Sequence, residues 1–288
     1  MLNLLESISL SYIDIPYPLS CQEYELHIEE GNLLYAGVDY QMILREAERE
    51  ADIILWDGGN NDFCFFKPTV TICVADALRE GHEEHYYPGE INMRMSDIVM
   101  INKVNSLQSS ELASIQAQHI RDFLGKDIPI ILGKSIVTPE ARDPTGQLLG
   151  DSAVKDMVYG KNVLVIDDGP TLTHGGMPFG AGFVLAKQMG AAEIVDPRQA
   201  AKGSLVGVFQ KFQHLEKVLP AMGYDEHQIK DLEETVRGVD CDCVITGTPI
   251  NLENVIDVGK KCVRARYCLQ LDEQNMSALE LALKPLSE

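Results

Sequence analysis

The chain alternates short, strongly apolar runs with stretches of helical period, and this alternation restricts its fold more than any other feature. The runs are ADIILW (51–56), TVTICVA (69–75), DIVMIN (97–102), IPIIL (128–132), NVLVID (162–167), AEIVD (192–196), CDCVITG (241–247) and CVRARYCLQL (262–271). They are rich in Val and Ile and apolar on both faces, as strands buried in a parallel sheet are. Between them, 39–50 aligns Ile43, Leu44 and Ala47, 109–125 spaces Leu112, Ile115, Ile120 and Phe123, and 225–238 spaces Ile229, Leu232 and Val236. Those spacings predict amphipathic helices. The expected class is α/β, with mostly parallel sheets and flanking helices. The stretch 134–154 holds Pro, Gly and charge without period, so a division into 1–135 and 136–288 is expected there.

Composition removes several classes of function. Of 288 residues, 45% are hydrophobic and 24% charged, enough for a real core. No apolar run approaches the ~20 residues that cross a bilayer. The first residues carry no basic region before an early Glu6, which does not suit a secretory signal. The seven cysteines are scattered through strand-like runs, which suits reduced thiols in a cytoplasmic protein. The net charge of −20 argues against nucleic acid as a partner, because phosphate neutralisation dominates that affinity. No membrane partner is expected either. An anionic ligand would have to be held locally, by backbone N–H groups, a few bases or a bound cation.

In open α/β sheets ligands bind at the carboxyl ends of strands. The first such end is Asp57-Gly58-Gly59 after 51–56. An acid there can hold Mg²⁺ through water while glycine admits a γ-phosphate, the logic of a Walker B strand. The same residues also suit a plain Asp-Gly turn. The second is Asn102-Lys103-Val104-Asn105, which resembles the Asn-Lys-x-Asp that reads guanine in many P-loop GTPases. With Asn105 in place of the acid the charge-assisted pair is gone, so ATP and GTP both stay open.

The third is Asp168 to Gly176, between the run 162–167 and a helical pattern at Ala181, Val184, Leu185 and Ala186. Strand, glycine-rich loop and helix start make an anion site. Thr171 and Thr173 can donate to phosphate, Gly175 and Gly176 let a ligand approach, and His174 with Asp168 can move a proton. The bland alternative is a structural turn with a solvated His. Other candidates are His82 and His85, flanked by acids, and Arg264 with Arg266, which period two places on one strand face as an anion clamp. The Arg pair equally suits ion pairs with a neighbouring element. Thr246 and Thr248 can join a ligand cleft or cap a turn. No Walker A is present: ILGKSIV (131–137) lacks the first glycine and a following helix.

Taken together, ADIILWDGGNNDFCFFKP, GHEEHYYPGEINMRMSDIVMINKVNS, VIDDGPTLTHGGMPFGAG, AAEIVDPR, VLPAMGY, DLEETV and CDCVITGTPINL resemble cyclic 2,3-diphosphoglycerate synthetase and the predicted GTPases grouped with it. The resemblance runs from about 22 to 271. It implies a P-loop-NTPase-like remnant without its Walker A, followed by a second α/β, Rossmann-like subdomain. It also implies an ATP-dependent ligase closing a phosphoanhydride within 2,3-bisphosphoglycerate, with release of ADP and phosphate. Family members carry an N-terminal domain and a P-loop before the matched region, so the chain is expected to correspond to the C-terminal part. The implied cofactors are ATP (or GTP) and Mg²⁺ and the partner a phosphorylated small molecule, with a homodimer as a candidate assembly. Asp57 would take the metal, and Asn102, Lys103, Asn105, Gly58 and Gly59 the nucleotide. His174 and Asp168 would be catalytic. Thr171, Thr173, Gly175, Gly176, His82, His85, Arg264 and Arg266 would hold phosphates and substrate. A GTPase-like regulator, a metallochaperone-type protein and an inactive nucleotide-binding remnant are the alternatives.

Overall fold

The structure, a computed structural model, describes residues 27, 30–35, 40–173, 176–215, 217–223 and 225–286. The fold is α/β. In chain order its helices are α1 (Tyr40–Glu50), α2 (His82–His85), α3 (Gly89–Met95), α4 (Ser110–Leu124), α5 (Asp151–Val158), α6 (Gly169–Thr173), α7 (Ala181–Gln188), α8 (Ser204–Lys211), α9 (Glu226–Gly238) and α10 (Glu273–Ala282). The strands are β1 (Ile72–Asp76), β2 (Ile98–Asn102), β3 (Ile130–Leu132), β4 (Lys134–Glu140), β5 (Asn162–Asp168), β6 (Glu193–Ile194), β7 (Leu219–Ala221), β8 (Cys243–Gly247) and β9 (Lys261–Gln270). Two compact units emerge, one of 35–136 with 268–286, the other chiefly 137–267.

The first unit holds a parallel three-stranded sheet, β1-β2-β3. Its two faces are covered differently. Cys73, Ala75, Val99 and Ile101 face a core with Ala117, Ile120 and Phe123 of α4. Ile98, Met100 and Ile131 face Ala278, Leu279 and Ala282 of α10. Helix α4 begins because Ser109 Oγ accepts from Glu111 N–H, and it stops at Gly125, whose φ of 60° suits glycine.

The run 51–56, expected as a strand, is not one. Ile53 and Leu55 are 59% and 86% exposed and no strand lies alongside among the described residues. Apolar alternation alone does not make a strand; a lateral partner for its N–H and C=O groups does.

The second unit carries the six-stranded sheet, in the order β4-β9-β8-β5-β6, with β7 also beside β5. β5 pairs in parallel with β8 over Val163–Asp167, and with β6 and β7 on its other side. Val163, Leu164, Val165 and Ile166 are fully buried. Each such side chain contributes about 1.5–3 kcal/mol by leaving water. The chain thus leaves β5, builds β6 and β7 on one side, and returns to build β8 and β9 on the other. The reversal places a topological switch point between β5 and β8, the position at which open α/β sheets bind ligands.

The aperiodic stretch 134–154 contains structure that its composition conceals. β4 is an edge strand, the position at which Pro139 is tolerated. A turn follows in which Asp143 Oδ1 accepts from Thr145 N–H, Thr145 O–H and Gln147 N–H, and α5 comes next.

Candidate functional site

The ends of β1 and β2 in the first unit carry a compact charged cluster. Asp76 ends β1, and its Oδ1 accepts from Leu78 N–H at 3.0 Å. Its Oδ2 takes Lys103 Nζ at 2.6 Å and Arg79 Nη2 at 3.0 Å. Burial raises the Asp76 pKa, but Lys103, Leu78 N–H and Arg79 outweigh it and hold the carboxyl below its usual value. Lys103 stands at a φ of 66°, its N–H bonded to Asn102 Oδ1. Asn105 grips the backbone of Ser135 twice, donating to its C=O and accepting from its N–H, both at 2.9 Å. Asn102, Lys103 and Asn105 are therefore brought together, each with an internal partner.

Asp57 is exposed in the same unit and has no side-chain partner among the described residues. Gly58 lies against the Trp56 ring, and Gly59 N–H donates to Asp62. His82 stacks on Tyr86, centroids 4.3 Å apart, and His85 ends the same short helix, exposed. No group of three metal-binding side chains occurs among the described residues.

In the second unit the switch point is organised by a residue that sequence reasoning passed over. Asp167 is fully buried. Its Oδ1 accepts from Gly182 N–H at 2.7 Å, and its Oδ2 from Gly180 N–H at 2.8 Å and Phe183 N–H at 3.4 Å. The N-terminus of α7, expected to be open to a ligand anion, is thus filled by the protein's own carboxylate. A Cβ on Gly180 or Gly182 would stand 2.7 or 2.8 Å from that carboxyl, and one on Gly247 would overlap it. Burial pushes the Asp167 pKa up to about 6 against the pull of the three N–H groups, and Asp168 adds to the rise. The legible signal was an acid at a strand end followed by spaced glycines. That pattern alone suits a cradle for a foreign anion equally well.

Asp168, next along and last in β5, is half-buried. Its Oδ2 accepts from Thr171 N–H and O–H at 3.1 and 2.8 Å. Thr173 O–H donates to Gly169 C=O. Residues 169–173 therefore form α6 rather than an open loop, and both threonine hydroxyls have internal acceptors. Gly176 follows with a φ of 65° and open space around it. His174 and Gly175 lie outside the described residues.

On the neighbouring strand, Thr246 and Thr248 are buried at the end of β8, with Thr248 O–H donating to Ile250 C=O. Arg264 on β9 is only 6% exposed and donates to Pro249 C=O at 2.6 Å. Arg266 Nε lies 3.6 Å from Glu140. The two arginines share a face, each with a protein partner. Desolvation raises the Tyr267 pKa, with Asp168 adding and Arg264 opposing, so the three groups lie within electrostatic reach of one another.

No helix of the described residues is long and apolar enough to cross a membrane. No protein-family model matches the chain. It is 48% identical over 249 residues to the arginine synthetase ArcE of Thermococcus kodakarensis. The match takes in 86% of this chain and 52% of that protein, so the chain spans about half the length of the relative. This finding overturns the expected closure of a phosphoanhydride in 2,3-bisphosphoglycerate, because the relative is named for a different product, and it does not favour the regulatory or inactive alternatives. By sequence, the chain is a relative of a synthetase named for arginine.

Proposed function

We propose that the chain supplies part of an enzyme that forms arginine at the expense of a nucleoside triphosphate. The 48% identity over 249 residues carries this reading. The motifs shared with the cyclic 2,3-diphosphoglycerate synthetases support kinship with that family, though not its reaction. Closing a guanidinium from a ureido carbon requires its oxygen to leave. Phosphorylation of that oxygen by ATP, with ADP departing, makes phosphate the leaving group, and ammonia then attacks the carbon. Such transfers depend on positioning and charge stabilisation.

The two strand-end clusters suit different parts of this task. At the β5–β8 switch point the Asp168 carboxylate complements a developing guanidinium. In the first unit, the unpartnered Asp57 carboxylate fits water-mediated Mg²⁺, which would neutralise phosphate charge. Asn102, Lys103 and Asn105 fit less well as readers of a base, since Ser135 and Asp76 occupy them. ATP or GTP would then be held by position rather than by an amide on the base.

Calorimetry of the chain with L-arginine and, separately, with MgATP tests the reading. Arginine is expected to bind and to weaken at least tenfold in Asp168→Asn. Mixing the chain with L-citrulline, ammonium and MgATP reads arginine and ADP directly. A chain that binds neither arginine nor MgATP rules the proposal out.

A further inference from the structure

We propose that Asp167 is a positioning residue that fixes the β5–β8 switch point by clamping the start of α7 and the end of β8 onto one buried carboxylate. The inference rests on the proposed use of this switch point for arginine. Asp167 touches no solvent and cannot meet a substrate itself. Each of its oxygens is engaged by α7, through Gly182 N–H on one and Gly180 and Phe183 N–H on the other. The Gly247 backbone packs close to both, since an added Cβ there would overlap Asp167 Oδ1 and Gly182 N. Three chain segments therefore converge where only glycine fits. Asp168 is fixed in turn, because it is the next residue of β5 and begins the turn into α6.

The cradle offers donors only. Gly180, Gly182 and Phe183 face Asp167 with N–H groups, and β8 faces it with the Gly247 backbone. Asp168 on β5 is the titratable neighbour that acts on it. The arrangement matches a carboxylate, which accepts at both oxygens, better than an acid or an amide, whose second atom would present a hydrogen to N–H groups.

The test uses the full chain and two readouts. In wild-type protein the amide resonances of Gly180 and Gly182 are followed from pH 5 to 8, without ligand. They are expected to titrate together with a midpoint near the raised Asp167 value of about 6. Arginine binding is expected to weaken at least tenfold below that midpoint. In Asp167→Asn the affinity should be low throughout and the step absent. Gly182→Ala, which sets a methyl against the same carboxyl, should lower affinity similarly while keeping a titrating group. Should Asp167→Asn fail to fold, Gly182→Ala decides. Wild-type affinity in either Asp167→Asn or Gly182→Ala overturns the clamp. Titrating amides in a chain that never binds arginine would leave the clamp intact and remove the function assigned to the switch point.

Discussion

Lys103 illustrates how a side chain expected to meet a ligand can be committed to the fold. Its ammonium, Arg79 and Asp76 form one cluster, so Lys103→Met leaves Asp76 with a single cationic partner. The loss should be about 1–2 kcal/mol in urea unfolding at pH 7. The folded pKa of Asp76 lies below its ordinary value, so its stabilising contribution is present above that value and fades as pH falls through the folded pKa. The gap between Lys103→Met and wild type should therefore narrow in acid. Asn105→Asp makes a sharper case. A carboxylate still accepts from Ser135 N–H but meets Ser135 C=O with a lone pair, so about 1–2 kcal/mol should be lost. No preference for GTP over ATP should appear in parallel binding measurements, because the side chain remains turned to Ser135.

Most buried elements were legible from their patterns. The runs at 97–102, 162–167 and 241–247 became β2, β5 and β8, because runs this apolar are stable only when covered on both faces. The run 51–56 shows where the pattern stops informing: composition predicts burial but does not supply the neighbouring strand. Leu55→Lys should accordingly change stability by less than about 0.5 kcal/mol, whereas Ile101→Ala, on a fully buried position of β2, should cost about 2–5 kcal/mol in the same unfolding assay. The converse miss is β4, hidden by its proline. The switch-point site was half legible. Glycines after a strand were visible, but the acceptor that the α7 N–H groups meet is Asp167 itself, and the close packing of Gly247, 80 residues along the chain, follows from β5–β8 pairing that local sequence does not carry.

The whole molecule carries a net charge of −20, which works against compactness through self-repulsion. Raising NaCl from about 10 mM to 150 mM shortens the Debye length from about 30 to 8 Å. The melting temperature should rise with it, and a fall would mean that the attractive pairs dominate the acidic surplus. Asp167 adds to this burden. With its folded pKa raised to about 6, its contribution to stability declines as pH rises from about 4 to 6 and is flat above. The ionised form costs on the order of 2–3 kcal/mol at pH 8. Asp167→Asn should therefore compare better with wild type at pH 8 than at pH 5 in thermal melts, even where binding is lost.

The glycine cradle also has a genetic consequence. Gly180, Gly182 and Gly247 all press on the Asp167 carboxyl, and Gly247 is held small by the Gly182 backbone as well. An alanine at Gly182 should be suppressed by a second mutation that shortens Asp167, such as Asp167→Ser, which would restore soluble expression without restoring affinity. Among descendants of this chain the acid and the three glycines should be inherited, or abandoned, as one allele.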